Sequence, residues 1–393
     1  MIAKTHCFSC GAEELTEFYE SHNIPVNSCL LMPTRQEALD YPRGDLRLAF
    51  CRGCGFIQNV LFDPGVIEYS DRYEETQGYS ARFNQFNDSL AARLVKCYDL
   101  KDKDVLEIGC GKGEFLVSLM RMGAAHGLGI DPGVHPERMP EDVASKLDFI
   151  TDFYSDQYLH LTADFIACRH TLEHIQPVRD FVDLVRRAIG ERRDPIVFFE
   201  VPDVVRVLRE LAFWDIYYEH CSYFSLGSLA RLFRAAEFDV FDLRAEYDDQ
   251  YLLIDAVAAN GSEGPYWDTE DDMAHLTNSV AYFRDNHKSK LAEWRRALQK
   301  ANAGGQKTVL WGSGSKAVSY ITSTGINDEL EFVVDINPHK WGKFLAGSGH
   351  QIVSPEFLSE YQPDSVIAMN PIYLDEIDRS LQQLGVVAEL TSV

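Results

Sequence analysis

Two stretches of this sequence share one layout, in which a short apolar run leads into a glycine-rich turn and then into an amphipathic segment. The first is DVLEIGCGKGEF at residues 104–115, and the second is TVLWGSGSKA at residues 308–317. Glycine lets the backbone turn sharply between a strand and a helix and lets a ligand approach it closely. The repeated layout favours two parallel α/β sheets in one chain.

Apolar runs typical of strands alternate with amphipathic stretches around both turns. The strands predicted for the central region are Asp104–Ile108, Ala125–Ile130, Phe165–Cys168, Pro195–Glu200 and Tyr251–Ala258. Those predicted for the C-terminal region are Thr308–Trp311, Glu331–Val334 and Ser365–Ala368, after a long helix from about 273 to 301. We expect a small head over residues 1–65, a central α/β domain over 66–272 and a C-terminal α/β domain over 273–393.

The charge balance limits the classes of partner. The chain has 393 residues with 37 basic and 61 acidic side chains, a net charge of −24. So acidic a chain is a poor partner for duplex nucleic acid or an anionic membrane, whereas a small phosphorylated molecule needs only a few local cations. The sequence has no apolar run near the ~20 residues of a membrane span and no secretory leader, so we expect a soluble, cytoplasmic protein.

The head contains two Cys-x-x-Cys pairs, Cys7 with Cys10 and Cys51 with Cys54. Each pair is followed by a glycine that lets backbone N–H groups face a thiolate. Four thiolates around one ion is the closed coordination of structural zinc, which predicts a scaffolding role. The alternatives are two unrelated pairs or a redox pair, although redox pairs of this kind come singly at a helix start.

The first glycine turn has the spacing Gly109-x-Gly111-x-Gly113, and an acidic residue, Glu107, precedes it inside the strand. This pattern resembles the class I S-adenosylmethionine (SAM) methyltransferases, with their Rossmann-like parallel sheet. The resemblance implies that Glu107 and the glycine backbone hold the amino-acid part of SAM. Since SAM carries no phosphate, a carboxylate there is favourable, whereas it would repel a pyrophosphate. A Rossmann dehydrogenase is the alternative.

The resemblance assigns further cofactor-binding residues. Asp131 ends the second strand, 22 residues after Gly109, where a carboxylate accepts hydrogen bonds from both ribose hydroxyls. Asp152 and Phe153 lie where the family places an acid and an apolar neighbour of the adenine. Arg169 lies in the fourth strand, which leads into the site.

Two histidines follow that strand in the string His170-Thr-Leu-Glu-His174. A zinc-protease motif needs Glu directly after the first His, so this string does not qualify. In many class I methyltransferases the first residue of such a string lines the cofactor pocket, and the second His caps a helix. Both histidines are candidate catalytic residues.

A second cluster, Tyr217-Tyr-Glu219-His220-Cys-Ser-Tyr-Phe-Ser, follows the fifth strand at the edge where α/β ligand sites form. An imidazole titrates near neutral pH and suits proton abstraction beside a carbonyl group. The alternative is a tyrosine-rich segment that only packs in the core, in which the histidine has no catalytic role.

The cluster and the domain order resemble the bacterial nucleotide-sugar C-methyltransferases that act on keto-deoxysugars. These combine a four-cysteine zinc head, a SAM domain and a C-terminal Rossmann-like domain. The resemblance implies that His220 removes a proton next to a ketone and that Glu219 and Tyr217 contact the sugar. It also implies a tyrosine from the linker after the head, either Tyr73 or Tyr79. The enolate oxygen then needs a donor, for which His170, His174 or a tyrosine would serve.

The resemblance gives the C-terminal domain the nucleotide half of the substrate. The candidate substrate-binding residues are Ser313, Ser315, Lys316, Asp335 and Asn370. A diphosphate would meet the loop at a helix N-terminus. The alternatives are a structural Rossmann remnant without ligand and a true NAD site.

The sequence therefore favours a SAM-dependent C-methyltransferase with a nucleotide-diphosphate sugar as partner and with no nucleic acid or membrane partner. An O- or N-methyltransferase acting on another metabolite stays open, as does a non-catalytic module that binds zinc and SAM. The nucleotide, the sugar and the oligomeric state stay open as well, a monomer being plausible.

Overall fold

The structure, a computed structural model, describes residues 4–70, 72–261 and 265–393. The strands are β1 Leu15–Pro25, β2 Arg43–Cys51, β3 Ile57–Asn59, β4 Asp104–Ile108, β5 His126–Ile130, β6 Leu147–Ile150, β7 Phe165–Arg169, β8 Ile196–Pro202, β9 Ser222–Tyr223, β10 Phe238–Glu246, β11 Tyr251–Ala258, β12 Thr308–Trp311, β13 Phe332–Val334, β14 Gln351–Val353, β15 Ser365–Ala368 and β16 Glu389–Ser392. The helices are α1 Arg35–Leu39, α2 Ala81–Cys97, α3 Glu114–Arg121, α4 Val178–Ile189, α5 Val204–Glu210, α6 Leu226–Ala235, α7 Met273–Ala303, α8 Ser315–Thr324, α9 Leu358–Tyr361 and α10 Leu374–Gln383.

The head is an antiparallel sheet in the order β1-β2-β3-β9. Its last strand comes from far along the chain, because Ile57 pairs with Tyr223 and Gln58 pairs with Ser222. Strand β9 directly follows the His220 segment, so the head holds that segment in place. The head sheet thus extends beyond the predicted boundary at residue 65.

The central sheet has seven strands in the order β10-β11-β8-β7-β4-β5-β6. The strands from β4 to β8 run parallel, and β10 and β11 form an antiparallel hairpin that adds to β8. The five strands predicted here are present; Asp104–Ile108 and Tyr251–Ala258 match at both ends, and the other three differ by at most two residues at an end. Because the parallel strands end at one edge, the loops after β4, β5, β7 and β8 meet there.

The C-terminal sheet has five parallel strands in the order β14-β13-β12-β15-β16. The glycine turn lies between β12 and α8, as the pattern predicted. The long helix α7 leads into this domain and also packs against the head, through Phe283 on Phe18 and Tyr19. Among the described residues no helix is both long and apolar enough to cross a bilayer.

Replacement of Phe283 by Ala tests the packing of α7 on the head. Phe283 is fully buried, and its ring centroid lies 5.6 Å from that of Tyr19. Loss of the ring leaves a cavity, so the free energy of unfolding should fall by about 3–5 kcal/mol in chemical denaturation. The control Tyr282→Ala, at a neighbouring position that is 49% exposed, should change it by only about 0.5 kcal/mol. Equal effects of the two changes would contradict this packing.

Candidate active site

The glycine turn after β4 has a backbone that side chains do not tolerate. Gly109, Gly111 and Gly113 have φ values of 69°, 52° and 77°. A Cβ atom at Gly109 would lie 2.0 Å from Oγ1 of Thr171. The turn therefore needs glycine both for its left-handed backbone and for its contact with the loop after β7.

Glu107 lies in β4 just before this turn, and its side chain is 2% exposed. Its Oε2 atom is buried and has no hydrogen-bond partner among the described residues. Burial raises the pKa of Glu107 to about 8, although Arg169 opposes the shift. A buried carboxyl group without a partner favours a cationic ligand beside it.

Two further acids follow the next two strands. The carboxylate of Asp131 accepts hydrogen bonds from the backbone N–H groups of Gly111 at 2.9 Å and Gly133 at 2.7 Å. The carboxylate of Asp152 accepts hydrogen bonds from the backbone N–H of Phe153 and from the Tyr158 hydroxyl, which lower its pKa. The Phe153 ring is 58% exposed, so a ligand at this edge can cover it.

Arg169 and His170 share the buried carboxylate of Glu200 at the ends of β7 and β8. The Arg169 guanidinium donates to Glu200 Oε1 at 3.0 Å, and His170 Nε2 lies 2.7 Å from the same oxygen. Burial alone would lower the pKa of His170, but Glu200 and Glu173 outweigh it and raise the pKa to about 9. His170 is therefore a fixed cation at neutral pH, which disfavours a role as general base.

Two histidine–tyrosine pairs face each other beyond this cluster. His220 Nε2 lies 2.8 Å from the Tyr217 hydroxyl, and His174 Nδ1 lies 2.8 Å from the Tyr69 hydroxyl. The two imidazole rings meet edge to face, with centroids 4.8 Å apart. Burial lowers the pKa of His220 well below its usual value, and the charges of His174 and His170 add to the shift. His220 is therefore neutral at pH 7, as a general base must be.

The carboxylate of Glu219 faces the head instead of the ligand cavity. It accepts hydrogen bonds from Asn27 Nδ2 and from the Ser28 backbone N–H, each at 2.9 Å, and also from the Ser28 hydroxyl. The side chain is 1% exposed. Glu219 thus positions the segment that carries His220, whereas direct contact with the acceptor had been expected.

The linker after the head brings three tyrosines to the cavity: Tyr69, Tyr73 and Tyr79. Tyr73 lies against Tyr69 with ring centroids 5.2 Å apart, while Tyr79 is 43% exposed near His339. The Tyr69 hydroxyl forms a hydrogen bond with the candidate residue His174, although Tyr69 was not among the predicted site residues. The feature of the sequence that could have indicated Tyr69 is its position in the same linker as Tyr73 and Tyr79.

The second glycine turn holds its own acid. The backbone N–H and hydroxyl of Ser313 donate to Asp335 Oδ2, and Lys340 Nζ lies 3.3 Å from that atom. Burial opposes charge on Asp335, but Lys340 and the hydrogen bonds outweigh it, so the pKa of Asp335 lies below its usual value. The Ser313 hydroxyl therefore donates to Asp335 and not to a ligand. Ser313 does not line the cavity, although it had been predicted to bind the substrate.

Two cationic side chains, Lys316 and Arg206, lie near the start of α8. Lys316 Nζ lies 2.8 Å from Asp215 Oδ1, and Arg206 Nη1 lies 3.7 Å from Asp215 Oδ2. The hydroxyl oxygens of Ser315 and Ser28 lie 2.8 Å apart; since Ser28 donates its one hydroxyl proton to Glu219, Ser315 is the donor to Ser28. This arrangement offers an anion two cations and a helix N-terminus. Arg206 and Asp215 were not predicted from the sequence, because they lie outside the glycine motif.

Asn370 follows β15 and pairs its amide with the amide of Gln250, which precedes β11. The two distances between the paired amide atoms are 2.7 Å and 3.3 Å. This pair joins the C-terminal sheet to the central one beside the cavity.

One continuous cavity of about 1170 Å³ connects the two glycine turns. The predicted site residues that line it are Tyr73, Tyr79, Glu107, Gly109, Gly111, Asp131, Asp152, Phe153, Arg169, His170, His174, Tyr217, His220, Ser315, Lys316, Asp335 and Asn370. Gly113, Glu219 and Ser313 lie behind it. Pockets for one small ligand measure roughly 300–1,000 Å³, so this cavity has room for two.

The four cysteines of the head form a separate cluster. The Sγ atoms of Cys7 and Cys54 are 3.6 Å apart, as are those of Cys10 and Cys51. All four sulfur atoms lie within 4.8 Å of one another. Tetrahedral Zn–S bonds of about 2.3 Å place sulfurs about 3.8 Å apart, so the cluster can hold such an ion.

Comparisons with known proteins agree with this geometry. Residues 79–243 match the family model described as "Methyltransferase domain", and residues 267–387 match "C-methyltransferase C-terminal domain". The chain is 26% identical to the C-methyltransferase NovU of Streptomyces niveus over 388 residues, which cover 94% of this chain and 90% of that one. The chain is a SAM-dependent methyltransferase. Its central sheet has the class I methyltransferase fold.

The methyltransferase has other, shorter matches. It is 32% identical to the ribosomal protein L11 methyltransferase of Escherichia coli O8 over 73 residues, 19% of this chain and 21% of that one. The magnesium protoporphyrin IX methyltransferase (ChlM) of Synechocystis PCC 6803, solved with bound SAH, aligns with a TM-score of 0.34 and 16% identity. That alignment covers 45% of the methyltransferase and 84% of ChlM.

The residues present fit the cofactor of such a methyltransferase. The turn at 109–113 leaves backbone open to a close ligand, and Glu107 offers a buried carboxyl oxygen that has no hydrogen-bond partner within residues 4–70, 72–261 and 265–393. Asp131, fixed by two backbone N–H groups, is oriented to receive hydroxyl donors at the same edge. These residues could therefore hold SAM, and this end of the cavity is the candidate SAM site.

Replacement of Gly109 by Ala tests this assignment. The new Cβ must displace Thr171, so the affinity for SAM, measured by calorimetry, should fall by about tenfold or more. Gly385→Ala is the control, because Gly385 has a similar φ of 66° but no atom lies within 4 Å of a built Cβ. Unchanged SAM affinity in the Gly109 variant would refute the placement of the cofactor.

Proposed function

We propose that this methyltransferase transfers a methyl group to carbon, beside the ketone of a sugar linked to a nucleoside diphosphate. The observation that carries the proposal is that His220, which is buried and neutral, lines the same cavity as the cofactor turn. The match to a C-methyltransferase along 94% of the chain supports transfer to carbon.

Methylation of carbon requires a base, because a C–H bond next to a ketone must first lose its proton. His220 and Tyr217 act as a pair through their 2.8 Å hydrogen bond. Burial raises the pKa of Tyr217 well above its usual value, so the phenol keeps its proton. In the tautomer in which His220 Nε2 donates to the Tyr217 oxygen, Nδ1 carries the lone pair that accepts the substrate proton.

The enolate that remains carries negative charge on oxygen and needs a donor. The pair of His174 and Tyr69 lies next to His220 and provides one. His170, held protonated by Glu200, adds a positive field in the same cavity. SAM, when bound, supplies the electrophilic methyl group that the acceptor carbon takes.

The nucleotide would lie against the C-terminal domain. Lys316, Arg206 and the N-terminus of α8 line the cavity there and favour a diphosphate. A diphosphate would compete with Asp215 for both cations. These local charges accommodate an anionic substrate on a chain whose net charge is −24.

We also propose that the four cysteines of the head bind one structural zinc ion. The spacing of their sulfur atoms supports this, and four sulfur ligands leave no open position for chemistry. The zinc would stabilise the head and, with it, the pairing of strands β3 and β9. Strand β9 begins two residues after His220, so the zinc would also help to hold His220 in place.

Replacement of His220 by Ala tests the proposed chemistry. Wild-type enzyme should exchange the acidic C–H of a nucleotide-linked ketosugar with solvent deuterium in the absence of SAM, as read by NMR. The variant should lose this exchange and its methyl transfer by about 10²-fold or more while it still binds SAM. His160→Ala is the control, since His160 is exposed and its Nδ1 atom lies 2.9 Å from the backbone carbonyl oxygen of Gln157, outside the cavity.

The pH profile gives a second readout of the same residue. A base works only when it is unprotonated. Because the pKa of His220 is lowered, the rate of methyl transfer should decline on the acid side only below pH 6.5. Methyl transfer without C–H exchange would instead indicate an O- or N-methyltransferase. Full activity of the His220 variant would exclude His220 as the base.

Replacement of Cys51 by Ser tests the zinc proposal. Wild type should contain about one zinc ion per chain by elemental analysis, and the variant should lose it and melt at a lower temperature. Cys97→Ser is the control, because Cys97 is exposed and lies outside the cluster. Zinc-free wild type with unchanged stability would refute a structural role for the metal.

A further inference from the structure

The cofactor end of the cavity is rich in carboxyl groups. They come from the linker, from β4, from α3 and from the loop after β5: Glu75, Glu107, Glu114 and Asp131. Glu75 was not among the site residues predicted from the sequence, because the linker shows no motif at that position.

Two of these carboxyl groups are satisfied within the protein and two are not. Asp131 accepts two backbone N–H bonds, and Glu114 accepts the Thr76 hydroxyl. Among the described residues, Oε2 of Glu75 and Oε2 of Glu107 are buried without a hydrogen-bond partner. These two oxygens indicate a cationic ligand.

The nearby lysine does not meet this need. Lys112 Nζ donates to the backbone carbonyls of Tyr73 at 2.8 Å and Gly133 at 2.7 Å. It forms an ion pair with Glu75 Oε2 at 3.7 Å, a distance too long for a hydrogen bond. Burial raises the pKa of Glu75 to about 8, since the charges of Asp131 and Glu114 oppose the effect of Lys112.

Glu75 reaches directly over the glycine turn. A Cβ atom built on Gly111 would lie 2.9 Å from Glu75 Oε1, so the carboxylate covers the backbone that the cofactor must approach. We infer that Glu75 is a cofactor-site residue, and that with Glu107 it selects the positively charged SAM over its neutral product. The inference depends on the assignment of this end of the cavity to SAM.

The charges of the two ligands give the physical reason. SAM carries a sulfonium, an ammonium and a carboxylate and has a net charge of about +1, whereas S-adenosylhomocysteine (SAH) lacks the sulfonium. Carboxylates that lie a few ångströms away in a poorly solvated site stabilise the cation and do little for the thioether. Transfer of the methyl group therefore removes the charge that holds the cofactor and promotes release of SAH.

The isosteric variant Glu75→Gln tests this selection in calorimetric titrations with SAM and SAH. The ratio of the two affinities should fall about tenfold, through weaker SAM binding, while SAH affinity changes by less than about twofold. Glu74→Gln is the matched control, because the neighbouring carboxylate bonds Asn337 and Arg138 and does not line the cavity. It should leave the ratio unchanged.

Proton release provides a readout on the wild type itself. A bound cation favours the charged carboxylate, so SAM should release protons at pH 7, and SAH should release fewer. Titrations in buffers of different ionisation enthalpy measure the difference, which should shrink in Glu75→Gln. Equal proton release for the two ligands, or equal loss of both affinities in the variant, would overturn the inference. Neither measurement uses an acceptor, so failure of the carbon-methylation proposal would be seen separately.

Discussion

The buried carboxylate of Glu219 is the contact on which the site geometry depends. A carboxylate removed from water costs several kcal/mol unless hydrogen bonds replace its hydration, and here Asn27 and Ser28 provide them. The next residue is His220, and Ser222 then pairs with Gln58 of the head. The proposed base is therefore held on both sides by the head, although it follows a strand of the central sheet.

The linker after the head unites the walls of the cavity. Glu74 bonds Arg138 of the central domain and Asn337 of the C-terminal domain. Farther along, Gln77 accepts a hydrogen bond from Tyr373, and Ser80 donates one to Glu376. These polar contacts connect the cofactor end of the cavity to the C-terminal sheet, so a shift of that sheet would also move the linker.

Several buried parallel strands could be predicted from sequence because they are mostly apolar runs, as at Phe165–Arg169 and Thr308–Trp311. Edge strands such as Leu147–Ile150 are short and include polar residues, so the sequence pattern does not distinguish them from loops. Within the site, the histidines and glycines could be predicted from local motifs. The direction of a side chain could not, and Glu219 points away from the cavity that its neighbour His220 lines.

The two glycine turns differ in charge even though each uses an acid in the same way. Asp131 accepts backbone N–H groups of the first turn, and Asp335 accepts that of Ser313 in the second. The second acid also has Lys340 beside it, so its charge is balanced within the protein. The first turn instead has Glu107 close by, whose buried Oε2 has no hydrogen-bond partner in the described part of the chain. One fold thus gives a carboxyl-rich turn at the proposed cofactor end of the cavity and, across the same cavity, a turn whose acid is balanced by a lysine beside the proposed diphosphate site.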